Sequence, residues 1–165
     1  MITLRDYTQA DAARLVVLAN NKNVSRYLIH TFPYPYTMQD AVEWIESGSQ
    51  ANNSITKVIE YQGNFVGSIA IIPQTGWKSH TAEIGYWVGE EYWGKGIAIN
   101  ALRAMSDAVF SGMKLTKLYA PVLGQKHASM RVLEKCGYVL EGIFKQEVFK
   151  DEQYFDGYYY AKHYP

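Results

Sequence analysis

The segment that most constrains this chain runs from an apolar strand pattern through a glycine-broken loop directly into a helical pattern. Its sequence is Glu83-Ile-Gly-Tyr-Trp-Val-Gly-Glu-Glu-Tyr-Trp-Gly-Lys-Gly-Ile-Ala98. A strand that ends in such a loop places free backbone N–H groups and the positive end of a helix dipole at one point. The sequence therefore predicts a site for a phosphorylated ligand at this loop.

Size and composition predict a single folded domain over residues 1–165. Hydrophobic residues make up 48% of the chain and charged residues 19%, which is typical of a globular core and not of disorder. The net charge is +0, so neither nucleic acid nor a membrane surface is an expected partner. The N-terminus has no signal-peptide core, no apolar run approaches ~20 residues, and the single cysteine, Cys136, fits a cytoplasmic protein.

The predicted elements describe an α+β fold with a mixed, mostly antiparallel sheet flanked by helices, in the order β-α-α-β-β-β-α-β-α-β-β. Thr37, with Asp40 three residues later, is typical of a helix start, and Gln62-Gly63-Asn64 is typical of a hairpin turn. The predicted strands cover residues 2–7, 55–61, 65–73, 81–88, 118–122, 138–149 and 154–163. The predicted helices cover residues 8–20, 37–48, 97–112 and 128–136, with a short helical piece at 22–28.

The glycine loop matches neither of two common nucleotide-binding motifs. Gly89-x4-Gly94-Lys95-Gly96 lacks the Ser or Thr that a Walker A loop places after its lysine to bind Mg²⁺. The dinucleotide fingerprint is also incomplete, because a third glycine is missing after Gly96. Gly94 and Gly96 instead allow the backbone to approach a pyrophosphate, with the N–H groups from Lys95 to Ile99 pointing at it. The alternative is a glycine-rich corner with a purely structural role.

Two segments of the chain resemble a known family. Trp93-Gly-Lys-Gly-Ile-Ala98 resembles the acyl-CoA signature Gln/Arg-x-x-Gly-x-Gly/Ala of the GNAT N-acetyltransferases, with a departure at Trp93. Ser129-Met-Arg-Val-Leu-Glu-Lys-Cys-Gly-Tyr138 resembles the S-x-R-V-L-E-K-x-G-F segment of the branch of ribosomal-protein alanine N-acetyltransferases. The resemblance implies the GNAT sheet, split between its fourth and fifth strands so that CoA lies in the opening. It also implies direct acetyl transfer from acetyl-CoA to a primary amine in a ternary complex.

The resemblance also implies which residues hold the cofactor. It places the pyrophosphate on the glycine loop and the pantetheine arm beside the fourth strand, where the Val88 N–H would contact the thioester or its oxyanion. Lys126 occupies a position where the family often has an asparagine that contacts CoA, and a lysine there could reach a phosphate. No metal is expected. The residues predicted to bind the cofactor are Tyr86, Trp87, Val88, Trp93, Gly94, Lys95, Gly96, Ile97, Ala98 and Lys126.

Two residues are candidates for the chemistry. Glu83 shares one strand face with Gly85 and Trp87, and is the candidate general base; the alternative is a strand glutamate held in a salt bridge. Ser129 is the candidate acid for the leaving thiolate; the alternative is an ordinary residue at a helix start. The tyrosine that many relatives carry four residues later is Leu133 here.

The acceptor side is predicted from the proline-rich segment, which the resemblance places over the acceptor site. His30, Tyr34 and Tyr36 are the candidate substrate-binding residues, although they could equally pack a loop onto the core. The acceptor is an amine of a protein N-terminus or a small molecule, with a slight preference for the N-terminus. The expected oligomeric state is monomer or homodimer, and the alternative function is a CoA-binding sensor without turnover.

Overall fold

The computed structural model describes residues 1–28 and 32–164, and it contains a seven-stranded sheet in the order β1-β2-β3-β4-β5-β7-β6. The strands are β1 (Ile2–Arg5), β2 (Ile55–Tyr61), β3 (Asn64–Pro73), β4 (Thr81–Val88), β5 (Lys117–Leu123), β6 (Val139–Lys150) and β7 (Gln153–His163). The helices of the described residues are α1 (Ala12–Ala19), α2 (Lys22–Ser25), α3 (Met38–Glu46), α4 (Ile97–Gly112) and α5 (His127–Lys135). The predicted mixed, mostly antiparallel sheet is confirmed.

One strand pair differs from all the others in the sheet. β4 and β5 are parallel and pair over three positions, the last of which is Glu83 with Tyr119. β4 nevertheless stays paired with β3 as far as Val88. Beyond Glu83 the sheet therefore opens as a wedge between β4 and β5, at the place where the sequence analysis expected a split.

The helices cover the two faces of the sheet unequally. α4 and α5 bury one face in a large core that includes Ile84 and Leu118, which are 1% and 0% exposed. α1 and α3 cover the opposite face over β2 and β3, around Val58 and Phe65. Each such side chain stabilises the fold by about 1.5–3 kcal/mol through the apolar area it buries. The large core therefore fixes the positions of β4 and α5 beside the wedge.

Local signals explain where several elements begin and end. The Thr37 hydroxyl accepts a hydrogen bond from the Asp40 N–H at 3.2 Å, which confirms the predicted start of α3. The first strand ends at Arg5 and not at Tyr7, because the Arg5 guanidinium donates to both carboxylate oxygens of Asp11 and turns the chain. For the same reason the first helix begins at Ala12, after a 3₁₀ turn at Gln9–Asp11. None of the helices in residues 1–28 and 32–164 has the length and apolarity of a membrane span.

Candidate active site

A cleft of about 450 Å³ lies at the wedge, between the end of β4 and the first turns of α5. The β4–α4 loop, the start of α4 and α2 also line the cleft, and the Asn23 side chain of α2 donates to Glu90 of the loop at 2.9 Å. Its lining residues are Asn23, Val24, Tyr27, Tyr86, Trp87, Val88, Tyr92, Trp93, Gly94, Gly96, Ile97, Ala98, Ile99, Lys126, Ala128, Ser129, Val132 and Lys135. Most of the predicted cofactor-binding residues are therefore brought together in one place.

The start of α4 provides main-chain donors to this cleft. Gly94 and Gly96 have φ of +76° and +73°, a left-handed conformation that favours glycine, and Gly96 is the N-cap residue. The Asn100 N–H donates to the Gly96 carbonyl at 3.1 Å, so the N–H groups of residues 97–99 have no carbonyl partner within the helix. Together with the helix dipole, these groups make an anion site of the kind that binds phosphate.

The side chains of Trp93 and Lys95 lie differently with respect to the cleft. Trp93 lines the cleft, but its indole N–H already donates to the Val88 carbonyl at 2.7 Å. Its contribution to a cofactor is therefore a surface to pack against and not a hydrogen bond. The Lys95 ammonium lies 5.0 Å from the centre of the Tyr92 ring, and Lys95 is not among the residues that line the cleft.

Ser129 and Tyr86 meet across the cleft. The Ser129 side chain is buried on α5, and its Oγ lies 2.9 Å from the Tyr86 Oη on β4. Burial raises the pKa of Tyr86 to about 12, although the hydrogen bond with Ser129 opposes this shift. Leu133, at the position of the family tyrosine, is 0% exposed and belongs to the core. Ser129 is therefore the α5 residue whose hydroxyl lines the cleft.

Two lysines lie near the C-terminal end of α2. Lys126 is the N-cap residue of α5, and its ammonium is 5.8 Å from the centre of the Tyr27 ring. Burial and, to a smaller extent, the nearby positive charge of Lys150 lower the pKa of Lys126 to about 8. The Lys150 ammonium donates to the carbonyls of Ser25 and Leu28 at 2.8 and 2.6 Å. This contact fastens the tip of the β6–β7 hairpin to the end of α2.

Glu83 lies on the other face of β4. Its side chain is half-buried, burial raises its pKa, and no described residue donates a hydrogen bond to its carboxylate. A Cβ added at Gly85 would meet nothing within 4 Å, so there is open space beside Glu83 on the same strand face. The salt bridge that was the alternative role for Glu83 is absent among the described residues.

The sheet face beside Glu83 is aromatic and acidic. Tyr119 and Tyr159 are stacked with ring centres 6.3 Å apart, and the Tyr159 hydroxyl donates to Glu147 at 3.1 Å. Burial, the hydrogen bond to Glu147 and then the charges of Glu147 and Glu83 raise the pKa of Tyr159 to about 12. Burial and the Glu83 charge likewise raise the pKa of Tyr119. These groups surround the approach to Glu83 with negative charge and ring faces.

The predicted acceptor residues have separate outcomes. His30 lies outside the described residues. Tyr34 is 53% exposed on the proline-rich segment. Tyr36 is 5% exposed, packs against Phe32 with ring centres 5.2 Å apart, and belongs to the core beneath α1 and α3. Of the two interpretations that the sequence left open for this segment, Tyr36 follows the one in which the loop packs onto the core.

Several lining residues were missed by the sequence analysis. Ala128, Val132 and Lys135 recur at helical spacing on the side of α5 that carries Ser129, and that period alone could have identified them. Asn23 and Val24 of α2, and Tyr27 just after it, carry no such signal, because tertiary packing brings this segment to the cleft. In residues 1–28 and 32–164 no three His, Cys, Asp or Glu side chains are placed to hold a metal ion.

The fold and the cleft define a class of protein. A sheet that parts beside a helix start rich in free N–H groups suits an elongated, phosphate-bearing cofactor. The chain belongs to the acetyltransferase (GNAT) domain family, whose model matches residues 1–139. The protein is an N-acetyltransferase with acetyl-CoA as co-substrate, as the resemblance implied.

Individual relatives extend this result over nearly the whole chain. Spermidine N(1)-acetyltransferase of Vibrio cholerae is 27% identical over 157 residues, which are 94% of this chain and 88% of that protein. The structure of a spermidine N-acetyltransferase from Vibrio cholerae with CoA and spermine has a TM-score of 0.82 at 26% identity, covering 98% of this chain and 95% of that one. Mycobacterium smegmatis RimJ with CoA-disulfide has a TM-score of 0.88 at 26% identity, covering 98% and 81%.

Proposed function

We propose that this enzyme transfers the acetyl group of acetyl-CoA directly to a primary amine in a ternary complex, with Glu83 as general base and Ser129 as the hydroxyl facing the leaving sulfur. The wedge between β4 and β5 is the observation that carries the proposal. It connects the cleft on the α4–α5 face with Glu83 on the opposite face. A thioester in the wedge can therefore meet an amine that approaches from the other side.

The main chain of β4 and α4 supports this placement of the cofactor. The N–H groups of residues 97–99 would bind the pyrophosphate, and the pantetheine arm would follow β4 toward Ser129. The Gly89 N–H donates to Val66 on β3, and successive N–H groups of a strand point to opposite edges. The Val88 N–H therefore faces the open edge, where it can donate to the thioester oxygen and to the oxyanion that develops during transfer.

The chemistry follows from the groups on the two sides of the wedge. The neutral amine attacks the thioester carbon, and Glu83 takes the proton that the nitrogen loses, directly or through a water molecule. Burial raises the pKa of Glu83 toward neutral pH, and a general base is most effective when its pKa is near the working pH. The tetrahedral intermediate then collapses, the C–S bond breaks, and the thiolate leaves beside the Ser129 hydroxyl.

The surroundings of Glu83 favour an acceptor with more than one positive charge. Glu83 and Glu147 provide negative charge on one sheet face, and Tyr119 and Tyr159 provide ring faces that attract cations. A polyamine has this chemistry, and the spermidine acetyltransferase of Vibrio cholerae is 26–27% identical to this chain by sequence and by structure comparison. The protein N-terminus, which the sequence slightly preferred, is the competing acceptor.

An acceptor panel that reads the release of CoA thiol tests the proposal. Spermidine, propylamine and a peptide with a free N-terminus separate the acceptor classes, and Glu147→Gln tests the charge. We expect spermidine to have the highest kcat/KM, and Glu147→Gln to lower that value severalfold through KM while propylamine is unaffected. Equal kcat/KM for spermidine and propylamine would refute the charged acceptor. Tight CoA binding without thiol release from any amine would favour the sensor.

A further inference from the structure

The hydrogen bond between Tyr86 and Ser129 joins the two walls of the cleft. The Tyr86 Oη lies 2.9 Å from Ser129 Oγ and 3.4 Å from the Ser129 carbonyl oxygen. Both residues line the cleft, Tyr86 from β4 and Ser129 from α5. The contact is thus placed on the proposed path of the pantetheine arm and not behind it.

A serine hydroxyl alone is a poor source of protons. Its pKa is far above that of a thiol, so Ser129 needs a partner that returns a proton as it gives one. Among the other phenols that line the cleft, the Tyr92 hydroxyl accepts from Arg14 at 2.9 Å, and the Tyr27 ring lies beneath the Arg26 and Lys126 cations. Tyr86 is the lining phenol within hydrogen-bond distance of Ser129.

We propose that Tyr86 supplies, through Ser129, the proton that the leaving CoA thiolate takes up. When the C–S bond of the tetrahedral intermediate breaks, its electron pair stays on sulfur. The Ser129 O–H proton moves to sulfur and forms the thiol, while the Tyr86 O–H proton moves to Ser129 Oγ. The resulting Tyr86 phenolate regains a proton from water when the cleft opens on product release. The inference rests on the proposed function and assigns a second hydroxyl to the same site.

The surroundings of Tyr86 suit this role. Burial keeps the phenol protonated at neutral pH, so Tyr86 can donate in every turnover. The same apolar cleft also raises the pKa of the CoA thiol. The difference in pKa between the hydroxyl donors and the thiol is therefore smaller. Tyr86 acts through Ser129 and not on the substrate itself. It is therefore a positioning residue that orients the Ser129 O–H toward sulfur and replaces its proton.

The chain contains a matched control pair outside the cleft. The Tyr138 Oη lies 2.8 Å from Ser106 Oγ in the core between α4 and the start of β6. Tyr138 is 2% exposed and Ser106 is 0% exposed, and neither lines the cleft. A tyrosine whose hydroxyl only braces a strand against a helix should behave like Tyr138. Tyr138→Phe therefore separates the loss of a brace from the loss of a proton source.

The experiment titrates the thiol of bound CoA by the ultraviolet absorbance of its thiolate, with the desulfo-CoA complex as the reference for tyrosine ionisation. Donors that reach the sulfur stabilise the thiolate and lower the thiol pKa. We expect Tyr86→Phe and Ser129→Ala each to raise the pKa of the bound thiol by about half a unit to one unit. The double variant should match Ser129→Ala, because the two hydroxyls act in series. Tyr138→Phe should match the wild type.

Turnover provides the second readout. Tyr86→Phe should lower kcat for thiol release by about 10–100-fold while the KM for acetyl-CoA changes less than about 3-fold. Circular dichroism and CoA affinity report whether each variant is folded. If Tyr86→Phe does not fold, the same pKa shift in Ser129→Ala and its absence in Tyr138→Phe still decide whether the cleft hydroxyls reach the sulfur.

The outcomes separate the inference from the function on which it rests. An unchanged thiol pKa and kcat in Tyr86→Phe, in a protein that acetylates amines, would overturn the inference and leave the proposed function intact. The expected shift in a protein that acetylates no amine would support the hydroxyl pair and remove the proposed function. A wild-type chain that binds no CoA would overturn both.

Discussion

The proposed active site has a cofactor half and an acceptor half, and the two are built from different kinds of groups. The cofactor half is contiguous in sequence and presents main-chain groups, with Gly94 and Gly96 shaping the start of α4. The proposed acceptor half is assembled from side chains of distant segments, with Glu83 from β4, Glu147 from β6 and Tyr159 from β7. A site made of main-chain amides depends on few residue types and keeps its ligand as a sequence changes. A site made of scattered side chains can change its ligand through single substitutions.

The largest expected effect concerns Glu83, the proposed general base of the acceptor half. Glu83→Gln should lower kcat by about 10²–10⁴-fold, because the amide cannot take the proton from the attacking amine. CoA affinity, measured by calorimetry, should remain within about 2-fold, because Glu83 lies on the opposite face of β4 from the cleft. In the wild type, kcat should fall as the pH is lowered toward the raised pKa of Glu83, because the base must be ionised. The variant should lack this dependence, and a profile that is the same in both proteins would exclude Glu83 as the base.

The next effect concerns the cofactor half. Gly96→Val should weaken CoA binding by about 10–100-fold, because the side chain would enter the space where the phosphates meet the α4 amides. Gly63→Val is a matched control, since Gly63 also has positive φ, +76°, and open space around it, but lies in the β2–β3 turn. Both variants should lose about 1–2 kcal/mol of unfolding free energy from backbone strain. A similar loss of CoA affinity in Gly63→Val would show that strain, and not crowding, is the cause.

A smaller effect tests the space beside Glu83. Gly85→Val should raise the KM of the acceptor by about 10-fold while leaving CoA affinity unchanged, because the side chain would fill the open space on the acceptor face. Valine suits an extended strand, so thermal unfolding should be almost unaffected. Gly112→Val places the same side chain in open space at the end of α4 and serves as the activity control. A lower CoA affinity in Gly85→Val would contradict the division into two halves.

The smallest effect concerns Lys126. Its pKa of about 8 means that its charge is present below that pH and lost above it. If the ammonium contacts a CoA phosphate, CoA affinity should fall by about 3–10-fold as the pH rises through about 8. Lys126→Met should remove this dependence, and Lys126→Arg should keep its charge at high pH. A wild-type affinity that does not change across this range would exclude a contact between the Lys126 ammonium and a CoA phosphate.

Sequence reasoning was more effective for the cofactor half, and the reason is physical. The glycine conformations, the start of α4 and the face of α5 are all set within a few residues, so local patterns identify them. The Trp93 hydrogen bond to Val88 was missed, because a lone tryptophan gives no sign of where its N–H points. The positions of Tyr36 and α2 depend on packing between distant segments. No spacing in the sequence distinguishes a tyrosine that lines a pocket from one that fills a core.

The three-position contact between β4 and β5 has a further consequence for the unloaded enzyme. Residues 84–88 of β4 pair with β3 on one side but have no strand on the side that faces β5. An unpaired strand edge of this kind is a template for pairing with other chains. The pantetheine arm carries two amide groups and lies along this edge in the proposed complex, where it would act as a surrogate strand. The pool of CoA in the cell would then protect the protein from self-association as well as supply its acetyl groups.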